Sequence, residues 1–131
     1  MTPEQFKRRI IADIRVELTD EFDKNFERKA FFSQKWKPRK NPAARGSLLN
    51  VSGALRRSIK AEETANGVRF SSQVRYASAH NEGTTTAGRG HRTVIPQRQF
   101  IGDSPEVRQI IEDVVTDAVH QFAHELAKSM K

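Results

Sequence analysis

The stretch "YASAHNEGTTTAGRGHR", residues 76–92, holds His80, Glu82 and His91 among glycines and threonines, and is the first place to look for chemistry. Zinc sites need three or four ligands in fixed tetrahedral geometry. On a helical segment, His80 and Glu82 point about 160° apart, and His91 follows only after a glycine-rich interval. A His-x-Glu zinc deaminase also needs a Pro-Cys-x-x-Cys partner, and the chain contains no cysteine. "GTTTAGRG" lacks the Gly-Lys-Ser/Thr ending of a phosphate loop, and "GRGHR" lacks dinucleotide spacing. No nucleophile elbow or Ser-His pairing is present. His120 and His124, four apart in a helical pattern, flank Phe122 and Ala123 with no nearby ligand and read as a solvated face. The sequence therefore yields no catalytic residue, no metal ligand and no cofactor, and the protein is expected not to be an enzyme.

The elements that must position this stretch are legible from periodicity. Residues 3–32 predict a long amphipathic helix: Pro3 suits the first turn, and Phe6, Ile10, Ile14, Leu18, Phe22, Phe26 and Ala30 recur every fourth residue. A four-residue step drifts by about 40° per repeat, so this stripe winds around a straight helix. One short sheet could not cover it, so either the helix bends near Thr19 or part of the face meets another subunit. Residues 33–50 read as a basic, proline-containing loop in which Trp36 is expected to anchor rather than stack on a base. Ser52 suits the N-cap of a short helix that turns Leu55 and Ile59 to one side. "SIKAEETANGVRFSSQVRY" predicts a hairpin with a type I′ turn at Asn66-Gly67. "YASAHNE" predicts a short helix closed by Gly83, followed by a Gly/Thr loop and a strand that turns at Pro96. Residues 104–130 form the clearest helix, capped by Asp103 or Ser104, with Pro105 in its first turn. The expected fold is α+β in one domain over 1–131: long terminal helices packed on a small antiparallel sheet, with two short helices and two long basic loops.

Charge is divided along the chain. The net charge is +7, yet Ser33–Ala61 carries Lys35, Lys37, Arg39, Lys40, Arg45, Arg56, Arg57 and Lys60 without an acid. Gly83–Gly102 adds Arg89, Arg92 and Arg98, again without an acid. The rest is mildly acidic, which suggests contact with a polyanion or an acidic protein surface, as against mere solubility of the loops. The longest run without Asp, Glu, Lys or Arg is "GSLLNVSGAL", too short to cross a bilayer, and "MTPEQFKRRIIADIR" is too charged for a signal peptide. A soluble intracellular chain without membrane contact is expected.

Trp36 in a basic segment, then "LLNVSGALRRSI", "VRYASAHNEG" and "VIPQRQFIG", occur in that order before the last helix. This ordered set, over Trp36–Gly102, resembles the tail-completion or virion-morphogenesis family of tailed bacteriophages, including the Mu-like group. The matching positions are Leu49, Ser52, Gly53 and Leu55; Tyr76, Ala77, His80 and Gly83; and Pro96, Arg98 and Phe100. Leu55 is expected to plug the core and Gly53 to allow close backbone approach. His80 is expected to hydrogen-bond locally, Arg98 to form a charge-assisted pair, and Phe100 to pack beneath the last helix. The resemblance implies a structural, non-enzymatic protein that acts at the head–tail junction or tail end during virion assembly, as a homo-oligomeric ring. It would be a virion component assembled in the host cytoplasm, with other head–tail or tail proteins as partners and possible non-specific DNA contact. Trp36, Lys37, Arg39, Lys40, Arg45, Arg89, Arg92 and Arg98 are the expected subunit or junction contacts. The competing expectation is a basic, sequence-nonspecific nucleic-acid-binding protein.

Overall fold

The computed structural model of the chain describes residues 2–38, 53–74, 76–87, 90 and 93–130. Helix α1 spans Pro3–Arg28. A capping box starts it: Gln5 N donates to the Thr2 hydroxyl at 3.1 Å, and Thr2 N donates to Gln5 Oε1 at 3.0 Å. The helix stops four residues short of the expected end, because Lys29 turns into the left-handed region at φ 55°. Strands β1 (Ala30–Phe31) and β2 (Gln34–Lys35) then form a tight hairpin, so the expected loop opens with a chain reversal. Its turn includes Phe32 at φ 56°. The side chain of Asn25 holds that turn by accepting from Phe32 N at 3.0 Å. Trp36 N donates to Lys29 O at 2.8 Å, which brings the indole back beside the end of α1.

Helix α2 spans Ala54–Ser58, and strands β3 (Lys60–Glu63) and β4 (Val68–Ser71) pair antiparallel after it. The N-cap of α2 is Gly53 rather than the adjacent Ser52. Gly53 sits at φ 68°, so its role is a left-handed backbone that other residues rarely take. The hairpin is as expected, but its turn is not type I′. Thr64 N donates to Gly67 O at 2.7 Å, which centres the turn on Ala65-Asn66, and neither Asn66 nor Gly67 has positive φ. Helix α3 spans Ala77–Glu82 and ends at Gly83 as expected, with Gly83 N donating to Ala79 O. Thr84–Ala87 (β5) pairs with Thr93–Ile95 (β6), so the first half of the expected glycine-threonine loop is a strand. Helix α4 spans Pro105–Ser129, with the Ser104 hydroxyl accepting from Val107 N at 3.1 Å.

The architecture is α+β, and among the described residues the strands form three separate two-stranded ribbons. Helix α4 packs on α1, which also packs against β1 and the β3–β4 ribbon. Phe6 meets Phe122 at 5.1 Å between ring centroids, and Arg9 donates to Gln121, so α4 runs antiparallel to α1. Buried Ala118 allows close approach midway. The β3–β4 ribbon lies along α1, tied by Arg15–Glu63 at 2.7 Å and by Lys7 donating to Asn66 at 2.8 Å. Successive elements meet the winding stripe of α1: α4 at Phe6, the β3–β4 ribbon and the start of α4 at Leu18 and Phe22, and Trp36, Leu55, Ala77 and Phe100 at Phe26. The buried residues form two clusters. One joins Leu18, Phe22, Phe31 and Val107, the other joins Phe26, Trp36, Leu55, Ala77 and Phe100, and Ile101 packs against both.

Candidate functional site

Three sequence motifs that lie far apart in the chain meet at one place, the extended segment Gln97–Ile101. Its backbone is gripped at each residue from Arg98 to Ile101. Arg98 N donates to His80 O at 2.7 Å, which fastens the segment to α3. The carboxamide of Asn81 accepts from Phe100 N at 2.9 Å and Ile101 N at 3.2 Å. From the opposite side, Asn25 Nδ2 donates to Phe100 O at 2.9 Å. The Trp36 indole N–H donates to Gln99 O at 2.7 Å. Two asparagines and a tryptophan therefore replace the ladder partners that a neighbouring strand would supply.

Packing completes the knot. Phe26 lies 5.2 Å from Phe100 and meets Trp36 edge-on at 5.8 Å. Trp36 is 8% exposed, so it is an anchor in the core. Leu55 and Ala77 close the same cluster. Phe100 is buried against the end of α1 and α3, not beneath α4 as expected. Gly83 has φ +79°, and a Cβ there would come within 3.0 Å of Gln97 N, so only glycine lets α3 sit this close to the segment.

The charged residues divide. Arg98 is buried; its guanidinium donates to the carbonyls of Lys37 at 3.1 Å and Pro38 at 3.3 Å. This holds the chain where the first cationic stretch leaves the body. Arg56 donates to both oxygens of Asp23 and to Glu27 at 2.9 Å, pinning α2 to α1. That pair keeps the Asp23 carboxyl below its ordinary value. Arg56 is thus committed within the fold, while Lys35, Lys37 and Lys60 are exposed. The candidate positions Arg39, Lys40, Arg45, Leu49, Ser52, Arg89 and Arg92 lie outside the described residues, as does His91. Their attachment points are clear, however. One stretch leaves after Pro38 and returns at Gly53, beside Leu55; the other leaves after Ala87 and returns at Thr93, three residues before Pro96.

At Nδ1, His80 makes no local hydrogen bond among the described residues. Its ring meets exposed Tyr76 edge-on at 5.7 Å, and its Nδ1 is buried with no partner among the described residues. Burial, and then the positive charge of Arg98, hold its imidazole below the ordinary value. Among the described residues no three His, Asp or Glu side chains are grouped to hold a metal. No helix among them is long and apolar enough to cross a membrane. Asn25 and Asn81, which do most of the gripping, were not singled out by sequence reasoning. The available signal was Asn25 itself, a polar residue on the buried face between Phe22 and Phe26.

The sequence profile of the phage virion morphogenesis family matches residues 4–120. The chain belongs to this family. No curated protein and no solved structure matches it at a significant level. The family match takes in every element that meets at the knot and ends inside α4. As a phage virion morphogenesis protein, the chain has its place in virion assembly, and the motifs that carried the resemblance are the ones that build the buried knot.

Proposed function

We propose that this virion morphogenesis protein is a non-enzymatic component that acts at the head–tail junction or tail end, as a ring, and remains with the virion. The supporting observation is the convergence of Trp36, Leu55, Ala77, Arg98 and Phe100 on one buried knot at the roots of both cationic stretches. Their polar atoms are spent on backbone carbonyls and amides, which suits a rigid platform rather than a reaction. The platform presents Lys35, Lys37 and the cations beyond Pro38 and Ala87 to neighbouring subunits, to other head–tail or tail proteins, and to the passing DNA. The test is deletion of the gene from the phage or prophage that encodes it, with particles examined by electron microscopy. Filled heads and tails that fail to join, or tails left unfinished, are expected, with rescue by the wild-type chain. Normal infectious particles from the deletion would overturn the reading.

A further inference from the structure

Among the described residues, strand β4 is paired on one side only. Its register against β3 fixes which backbone groups face which way. Thr64 N donates to Gly67 O across the turn, so Thr64 and Gly67 are a hydrogen-bonded pair. Such pairs alternate along an antiparallel ribbon, which makes Glu62–Arg69 and Lys60–Ser71 the next two. Val68 and Phe70 fall in the non-bonded positions between them. Their N–H and C=O groups therefore point away from β3, and they have no hydrogen-bond partner among the described residues.

That edge borders a groove. Val68 and Phe70 line an open cleft of about 410 Å³ together with Phe22, Ile101 and Ile111. A second cleft of about 270 Å³ continues it past Ser71 and Ser72. Asn81 and Ile101 line both clefts and no residue of β3 lines either, so the groove runs along the outer side of β4. Asn81 spends its Oδ1 on Phe100 N and Ile101 N, and its Nδ2 has no partner among the described residues. The charge of the groove has one sign. Glu82 and Asp103 line it, and no Lys, Arg or His does. Asp103 already bonds to Arg108 at 3.2 Å, whereas Glu82 has no ion pair among the described residues.

We propose that this groove binds one extended segment of another virion protein, which adds to the outer edge of β4 as a third strand. Backbone recognises backbone here. An antiparallel guest strand bonds to both the N–H and the C=O of Val68 and of Phe70. Guest residues directly opposite these two share their face, the one on which Phe70 meets Phe22 at 4.9 Å. Two apolar side chains, two residues apart, therefore enter the larger cleft. Asn81 Nδ2 donates to a carbonyl on the guest's far edge. The end of the guest beside Glu82 is basic, because a cation there gives that carboxylate the partner it lacks. The edge is recessed opposite Asn81 and Ile101, which suits a single strand. A second copy would instead bring strands that, among the described residues, are already paired in ribbons. The inference rests on the assembly reading above and gives it a class of partner.

The test is amide hydrogen exchange by NMR on the full chain. The probes are overlapping synthetic peptides that tile the other virion proteins of the same phage. In the free chain the Val68 and Phe70 amides should exchange fast, and those of Arg69 and Ser71 slowly. A bound peptide is expected to slow Val68 and Phe70 by at least about tenfold. The peptides that bind should carry two alternate apolar residues and a basic flank. Val68→Pro removes one outward donor and no bond to β3, and should weaken binding about three- to tenfold. Glu82→Lys should cost a similar factor, and only for peptides with the basic flank. No binding peptide, a bound peptide that leaves Val68 and Phe70 exchanging fast, or full binding by the Val68→Pro chain would each overturn the proposal. So would protection of the same two amides by rising protein concentration alone, which makes a second copy the occupant. If no peptide binds while the gene deletion still blocks assembly, this site fails and the morphogenesis reading stands. Normal particles from the deletion mean that it is that reading which fails.

Discussion

The two ends of helix α1 are packed by opposite means. At its C-terminal end Asn25 is fully buried, and its carboxamide bonds to Phe100 O, Phe32 N and Arg28. Around it Phe26, Trp36 and Phe100 interlock with their polar neighbours satisfied. At its N-terminal end half-buried Phe6 meets Phe122, with exposed side-chain bonds such as Lys7 to Asn66 around it. The first end is determined by directional bonds that admit one arrangement. The second is held by aromatic contact on an exposed surface. One end is thus a knot of satisfied polar groups, and the other an aromatic contact beside exposed apolar side chains.

Truncation at each end gives the largest expected contrast. Phe100→Ala should cost about 3–5 kcal/mol, lowering the melting temperature by roughly 10 °C or more. Leu126→Ala, measured on dilute monomer, should change stability by no more than about 0.5 kcal/mol. Comparable losses at the two sites, in parallel thermal and urea melts, would erase the distinction.

Asn25→Ala sharpens the same comparison by removing bonds rather than bulk. It strands the Phe100 carbonyl and the Phe32 amide, each worth about 1–3 kcal/mol when buried without a partner. A total loss of about 2–4 kcal/mol is expected by urea denaturation. A loss near the level of an exposed substitution would mean that packing alone holds the knot.

The smallest effect is a pH dependence. The fold favours neutral His80, so the unfolded chain takes up a proton more readily. The contribution of His80 is therefore complete above its ordinary value of 6.5 and is lost as pH falls through the depressed folded value. The melting temperature should drop between neutral pH and about pH 5.5, and His80→Phe should flatten that drop. An unchanged slope in the variant would assign the acid sensitivity to other groups.

Periodicity and capping were enough to place the long helices, the hairpin and α3, because these depend on local bonds and on residues three or four apart. The end of α1 was misjudged for a tertiary reason: Lys29 and Phe32 take positive φ without glycine, at a turn held by the side chain of Asn25. The missed strand Thr84–Ala87 owes its form to pairing with Thr93–Ile95, a partner that glycine and threonine content does not announce. Arg56 counts toward the excess positive charge and Arg98 toward a charge-assisted pair in the sequence, and the fold commits Arg56 to Asp23 and Glu27 and the Arg98 guanidinium to the backbone carbonyls of Lys37 and Pro38.

The sequence by itself determined that the chain is α+β, that its positive charge lies in two stretches, and that its motifs follow the order of a virion morphogenesis protein. These properties are carried by local propensity, by composition and by residue order. Only the tertiary structure decided that those motifs converge on Gln97–Ile101, that Asn25 and Asn81 do the gripping, and that the outer edge of β4 lies along an open cleft. Each of these depends on atoms brought together from far along the chain, where buried polar groups must find partners and apolar faces must find cover.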